Sequence, residues 1–429
     1  MSSLSTQPIS DRKPIVVRQK SPLYDIRKNI GAALEYIWEA SASVRNLQVD
    51  VMIIEGAERF SKDSLRTLYV GRHENDAFML NLIYEKYEVT KKHANIPITG
   101  FFKWLGLYRH LADLVILDHE LLLSRLYQSP SWLVIPQWIR QKFYVPDSWE
   151  DVLAKFRKNT KKTDLRKVRK YRLSYRITRN KNDFDLFYEK LYKPYLEMRF
   201  EDEVIIEPKS KVLRQCRKGE LMQIIREGEV VAAVLLHKSE GRLAYVWVGI
   251  PDHIDAEMSK GAFSALYYFT ILYGFNTGCH EIDFLGTRPL LNDGLFQYKR
   301  KWGAVVQRSP IPRGDILLKP VRETNAVRSF ISHNLFIVRE GKNLVGKIFY
   351  SEGILDQRIL SGIVSRYAAD GLSALKIYCL MGCRYGTIEW ARSQDANIVL
   401  IDLKNSQDPV KSYCIFGNQN RYTTRSQES

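Results

Sequence analysis

The sequence predicts an α/β fold, an α+β arrangement around a mixed sheet, and three observations carry that prediction. Three strand-like runs, Leu221 to Arg226, Val230 to His237 and Leu243 to Gly249, are separated only by Glu227-Gly228-Glu229 and by Ser239-Glu240-Gly241. Connections that short allow antiparallel hairpins and nothing else, so the three form a meander. After Gly249 the period changes: Phe263, Leu266, Tyr267, Thr270 and Ile271 recur at helical spacing. A strand from Glu281 to Leu285 then follows the Thr277-Gly278 break, and a helix from about Asp293 to Trp302 leads to a last strand, Ala304 to Gln307.

Upstream of the meander, Asp147-Ser148-Trp149-Glu150 is a helix-start signal with acids in the first turn. From Lys155 to Arg172, ten of eighteen residues are Lys or Arg against one acid, Asp164, which reads as a basic helix. Asp183 to Leu191 is a short amphipathic helix that ends near Pro194.

These elements make up a block at 146–310. Before it, 1–30 reads as a flexible leader. The 31–145 block is α/β, with strands at Val49 to Ile54, Leu65 to Val70 and Trp132 to Pro136, and its run Phe78 to Tyr87 fits neither period. After it, 311–404 carries a hairpin, Leu335 to Arg339 with Leu344 to Tyr350, a helix Asp356 to Ala369 and a strand Ala374 to Cys379. This is a C-terminal α/β extension. Residues 405–429 form a polar tail.

Composition narrows the function classes. A hydrophobic fraction of 45 % excludes wholesale disorder. The net charge of +17 favours polyanionic partners: RNA, a phosphorylated cofactor, an acidic polymer or an anionic membrane surface touched peripherally. Five scattered cysteines without paired spacing fit a reducing compartment and make a poor zinc signature. Met1 to Ser21 has no apolar signal core, and the longest apolar run, Ala262 to Phe275, is too short to span a bilayer. The reading is a cytoplasmic protein, peripheral to the membrane at most. Eight dispersed histidines suggest neither a metal site nor a Ser-His-Asp arrangement.

Several residues stand out by chemistry. Asp283 shares a strand face with Glu281 and Leu285, between the apolar Ile282 and Phe284. An acid so placed needs an ion-pair partner, with Arg288 or Lys299 in reach by sequence, or it becomes a base of raised pKa. Arg199, Arg288 and Lys260 suit phosphate or carboxylate groups. Tyr298, Tyr245 and Trp247 are open to two readings, cleft lining or core. The Lys299-Arg300-Lys301 run is either a solvated helix face or part of a site. The basic segment, with Tyr171 and Tyr175 interleaved, is the strongest argument for a non-catalytic RNA- or polymer-binding protein. It comes without recognition-helix, RNP-type or finger motifs.

The order of elements resembles the GNAT acyltransferase fold. Four features resemble its Fem-type branch, the peptidoglycan bridge-forming aminoacyltransferases: the basic run Phe156 to Lys167, the helix with Phe187, Tyr188, Tyr195 and Arg199, the Glu281 to Gly286 strand, and Tyr298-Lys-Arg-Lys-Trp-Gly303. The likeness spans roughly 132–308, with the N-terminal block GNAT-like or partial α/β by analogy. It implies a cleft where the strands Leu243–Gly249 and Glu281–Leu285 splay apart, with an acyl donor and an acceptor entering from opposite sides. It implies Lys299 stabilising transition-state charge, with Tyr298 and Asp283 beside it as catalytic candidates. It implies Arg199, Tyr195, Trp247 and Arg288 on the substrate, and Lys260, Gly261 and Ala262 at the donor loop. The acceptor would be an amine or hydroxyl of a cell-envelope or polysaccharide precursor. No cofactor or metal is expected to be resident; the donor is acyl-coenzyme A or aminoacyl-tRNA. One departure bears on that choice: Glu257 and Met258 stand where GNAT enzymes carry a basic or amide residue before the glycine.

Overall fold

The computed structural model describes residues 48–71, 76–97, 100–119, 131–200, 206–251, 254–310, 314–384, 386–394 and 397–404. The expected leader, the start of the 31–145 block and the polar tail lie outside them. A first sheet is begun by β1 (Gln48–Glu58) and β2 (Ser64–Gly71), an antiparallel pair in which Val51 faces Val70. The ambiguous run from Phe78 divides into a helix, α1 (Asp76–Ile83), and a long strand, β3 (Tyr84–Pro97). Helix α2 (Phe101–Tyr108), β4 (Leu114–His119) and β5 (Leu133–Pro136) complete the N-terminal contribution.

The chain then enters a second sheet through β6 (Ile139–Tyr144). Helix α3 (Trp149–Lys155) starts on a Ser148 cap whose side chain accepts the Asp151 amide. The basic segment is not one helix. It breaks at Phe156, which is extended and buried, and resumes as a wide π turn, Thr160–Asp164, running into α4 (Leu165–Lys170). The strand β7 (Ser174–Thr178) follows. Helix α5 (Lys181–Leu186) passes through a second π turn, Phe187–Tyr192, into α6 (Lys193–Phe200).

Pro194 therefore does not end this helix as expected. The wide turn shifts the bonding register just before the proline, and the freed Leu191 carbonyl accepts the Ile250 amide at 3.1 Å. Helix α7 (Lys209–Cys216) precedes the expected meander, β8 (Glu220–Arg226), β9 (Glu229–Ser239) and β10 (Arg242–Gly249). Both hairpins have two-residue turns, and Glu227, Gly228, Glu240 and Gly241 all have positive φ, the geometry that matches strand twist.

A short helix α8 (Ile254–Ser259) and the crossover helix α9 (Ala262–Asn276) lead to β11 (Glu281–Thr287), parallel to β10. Buried on nearly every side, α9 approaches the sheet closely at Gly274, where a Cβ would press on Ile282. Helix α10 (Gly294–Lys301) and β12 (Val305–Arg308) finish the sheet, whose order is β12-β6-β11-β10-β9-β8-β7.

Strand β13 (Asp315–Pro320) returns to the first sheet and slots between β4 and β5, antiparallel to both; the order there is β3-β1-β2-β4-β13-β5. Helix α11 (Asn325–His333) covers that sheet beside α1 through Val327, Phe330 and Ile331. A third sheet holds the hairpin β14 (Ile337–Glu340) and β15 (Asn343–Tyr350), then helix α12 (Gln357–Tyr367), β16 (Ala374–Cys379), α13 (Thr387–Gln394) and β17 (Ile398–Asp402). Its last three strands are parallel. No helix among the described residues is long and apolar enough to cross a membrane.

Candidate active site

Strands β10 and β11 pair over only three residues, Arg242–Ala244 with Glu281–Asp283, and then part. Both strands are irregular at that point. β10 shifts register against β9 between Tyr245 and Trp247, and β11 shifts against β6 between Asp283 and Gly286. Within the second bulge, Leu285 sits at φ 61°, a left-handed conformation costing a branched side chain about 1–2 kcal/mol.

Asp283 offsets that cost. Its Oδ1 accepts the Leu285 amide at 2.8 Å, and Arg140 on β6 grips both carboxylate oxygens, Nε at 3.2 and 3.1 Å and Nη2 at 3.0 Å from Oδ2. The partner of Asp283 is thus Arg140, and neither Arg288 nor Lys299. Sequence reasoning passed over Arg140, although Ile139-Arg-Gln-Lys-Phe143 alternates as a half-buried strand and puts Arg140 and Lys142 on one face. Lys142 pairs with Glu281 at 2.9 Å from that face.

The bulge turns its carbonyls toward α10, where Lys299 Nζ donates to Gly286 O at 2.9 Å and more weakly to Leu285 O at 3.5 Å. Lys299 is 3 % exposed. Burial pushes its pKa down to about 7; Asp283 and Asp293 oppose the shift, and Arg140 adds to it. A cation run that could have been a solvated face is nothing of the kind. Arg300 is buried and donates to the Ala368 and Arg366 carbonyls just past α12 and at its last turn. Lys301 pairs with Asp164 at 3.0 Å and lies 3.8 Å above the Tyr298 ring. The seam leaves little room for solvent, and each cation has a carbonyl, a carboxylate or a ring as partner.

Tyr298, next to Lys299, has its own partners. Its hydroxyl lies 3.1 Å from Ser264 Oγ, which donates to Asp164 at 2.6 Å, and its ring packs on Phe263 and Tyr267. Burial holds that hydroxyl far above the usual tyrosine range. Tyr245 and the buried Tyr195 belong to the same aromatic core as Tyr267, and the Tyr245 hydroxyl is buried without a hydrogen-bond partner. The bulge in β10 separates Tyr245 from Trp247, which packs on Tyr192 on the opposite face of the sheet.

Arg288 lies apart from Asp283. Its guanidinium is sandwiched between the rings of Phe78, at 4.0 Å, and Trp138, at 4.3 Å, at the junction of the first two sheets. That burial lowers its pKa against the pull of Asp118 and Asp293. The side chain of Arg199 lies outside the described residues.

The loop before α9 is organised around the residue that departs from expectation. Glu257 is buried, clasped by both terminal nitrogens of Arg226, and Lys260 Nζ lies 3.8 Å from it. Gly261 then takes φ 96° and caps α9 at Ala262. A Cβ there would come within 2.8 Å of the Lys167 Cβ, so glycine is required both for its conformation and for the approach of α4. A phosphate at this helix start would have Lys260 and Lys167 beside it, with Glu257 already neutralised by Arg226.

A family model described as an acetyltransferase (GNAT) domain matches residues 154–300. Among solved structures, FemX is similar at 11 % identity, over 63 % of this chain and 84 % of its own, with a TM-score of 0.33. L-PGS from Bacillus licheniformis is similar at 12 % identity, over 62 % of this chain and 80 % of its own, TM-score 0.31. The C-terminal domain of a putative lysylphosphatidylglycerol synthetase from Agrobacterium fabrum is similar at 11 % identity, over 66 % and 88 %, TM-score 0.31. No curated protein matches the chain. The antiparallel meander, the crossover helix and the parting of β10 from β11 all lie within the residues 154–300 that match the GNAT acetyltransferase domain.

Proposed function

We propose that the chain is a Fem-like acyltransferase that moves an acyl or aminoacyl group onto an amine or hydroxyl of a cell-envelope or polysaccharide precursor, on the cytoplasmic side. The observation that carries this reading is the position of Lys299. It is a buried amine poised near pH 7, held by a bulge carbonyl at the point where the two central strands part.

In the proposed reaction the acceptor lone pair attacks the carbonyl carbon of the donor ester or thioester, and the proton the acceptor loses passes to the departing donor oxygen or sulfur. Lys299 in its ammonium form stabilises the oxygen charge that develops, and the donor's alcohol or thiol leaves as the tetrahedral centre collapses. Burial makes that single charge worth far more than an exposed lysine's would be. Asp283 is a positioning residue: through Arg140 and the Leu285 amide it fixes the bulge whose carbonyl holds Lys299. Tyr298, through Ser264, sets the rotation of α10. Arg288 and Tyr195 are the substrate-side candidates, with Trp247 and Arg199 as further ones.

For the donor, the acid at 257 and the net charge of +17 support aminoacyl-tRNA. The retained Gly261-Ala262 helix start supports the second reading, an acyl-coenzyme A donor. The test is a transfer assay with labelled aminoacyl-tRNA and labelled acyl-coenzyme A, each with and without cell-envelope precursors. Transfer from one donor, lost in Lys299→Met but kept in Lys162→Ala, is the expected result. Transfer at the normal rate by Lys299→Met removes the site assignment, and salt-sensitive RNA binding without transfer from either donor makes the chain a binding protein.

A further inference from the structure

The first sheet is covered unequally. One face carries α1 and α11, while among the described residues the other carries little beyond α2 and the turn after it, with Trp104, Leu105 and Tyr108 in one apolar cluster with Val51, Val70 and Val115. The inner side of α2 is held by stacking: the His93 ring lies 4.0 Å from Trp104, and Tyr108 sits 5.7 Å from Trp104. Its outer side is open. Leu107 is 49 % exposed, and Lys103, Gly106, Arg109 and His110 are exposed beside it.

Strand β3 extends this surface. Lys91 lies over the Tyr108 ring and His93 against Trp104, so alternation puts Tyr87 and Val89 on the same face; they are 44 % and 45 % exposed. From Val89 to Ala112 the chain carries four Lys or Arg and two His and no acid, while Glu85 and Glu88 flank Tyr87, Glu85 paired with Lys62, and Lys92 is paired with Asp50.

Aliphatic tips, half-sunk aromatic rings and a predominantly cationic collar are the composition of a helix lying in a bilayer interface. RNA is the weaker fit, because Trp104, Tyr108 and His93 already stack on one another and Lys91 lies over the Tyr108 ring, so the rings of α2 are already engaged. We infer that α2 and the adjoining face of β3 dock on the headgroup layer of a membrane containing anionic phospholipid, Leu107 entering the layer and Lys91, Lys103 and Arg109 meeting the phosphates. This surface is separate from the cleft between β10 and β11, and the inference stands whether or not acyl transfer does.

The test is co-sedimentation of the full chain with vesicles of phosphatidylcholine alone and with phosphatidylglycerol added. The expected result is binding only with phosphatidylglycerol. Lys103→Ala and Leu107→Ser should each weaken it by about fivefold, one removing an interfacial cation and the other an inserted aliphatic tip. Both residues are exposed, so unchanged thermal unfolding confirms intact folding. Equal binding to both vesicle types, or undiminished binding by both variants, overturns the proposal. So does an equal loss from Lys162→Ala, which would assign the binding to charge alone. Displacement of the vesicles by an oligouridine at low concentration would make the face a nucleic-acid surface instead.

Discussion

Two cation runs, Lys155 to Arg172 and Lys299 to Lys301, look alike in the sequence and have opposite fates in the fold. In the first, nine of the ten basic side chains are exposed, and the tenth, Lys167, lays its stem against Gly261. In the second, Lys299 and Arg300 are buried and Lys301 is pinned between a carboxylate and a ring. The difference lies in what surrounds them. The long run belongs to short helices on the outside of the second sheet, where its apolar residues Phe156, Leu165 and Val168 point inward and the cations point away. The short run ends a helix wedged between the second and third sheets. Nearly every direction it can face is protein, and only Lys301 reaches partly into solvent. Charge density alone informs on partners; only packing decides whether a given cation is solvent, structure or chemistry.

The comparison breaks most sharply at Lys299. Lys299→Met should lower kcat by about a hundredfold or more, measured in the transfer assay. The same variant should change the pH dependence of stability. The folded pKa, about 7, lies below the unfolded value, so between these pH values the unfolded chain binds more protons and wild-type stability rises with pH. Below pH 7 both states are protonated and the full cost of the buried charge remains. Urea unfolding across pH 6 to pH 10 should show that rise in the wild type and a flatter curve in the variant.

Arg300→Ala comes next. It strands two carbonyls that receive charged hydrogen bonds at the seam with α12, and should destabilise the chain by about 2–3 kcal/mol. Asp164→Asn weakens the hold on Lys301 and Ser264 and should cost about 1–2 kcal/mol, read as a shift in the urea midpoint. The smallest effect belongs to the exposed run. Lys161→Ala with Lys162→Ala should move stability by no more than about 0.5 kcal/mol. If the chain binds tRNA, that pair should reduce the salt slope of binding by about one to two. A loss of stability there comparable to that of Arg300→Ala would dissolve the distinction between the runs.

The parts legible in the sequence were those with local signals. Glu227-Gly228 and Glu240-Gly241 announced two hairpins, the helical period after Gly261 announced α9, and Ala374 to Cys379 read as the strand it is. The brief strand β7 and helix α7 went unread. Tyr171 and Tyr175 were weighed as an RNA surface, whereas Tyr175 meets Phe269 and Tyr273 and Tyr171 rests on the core of the second sheet. The wide turns at Thr160–Asp164 and Phe187–Tyr192 depend on tertiary partners such as the Ile250 amide and leave no mark in the pattern. At the candidate site, Lys299, Asp283 and Tyr298 could be singled out because polar groups among apolar neighbours are conspicuous. Their partners could not. Arg140 stands 143 residues from Asp283, and Ala368 stands 68 from Arg300.

The placing of β13 between β4 and β5 bears on how the chain is made. During synthesis the facing edges of β4 and β5 emerge without a partner, and the whole second sheet is translated before β13 appears. Unpaired strand edges are where nascent chains go astray. The chain enters that excursion through β6 and leaves it through β12, and these two strands pair with each other, Val306 beside Gln141. Once they zip together, the ends of the excursion are neighbours. β13 is then delivered next to β5, in the register Leu317 to Val134, after closing a loop of a few residues instead of one spanning the entire domain. Completion of the GNAT-type sheet is, on this geometry, the event that lets the first sheet finish.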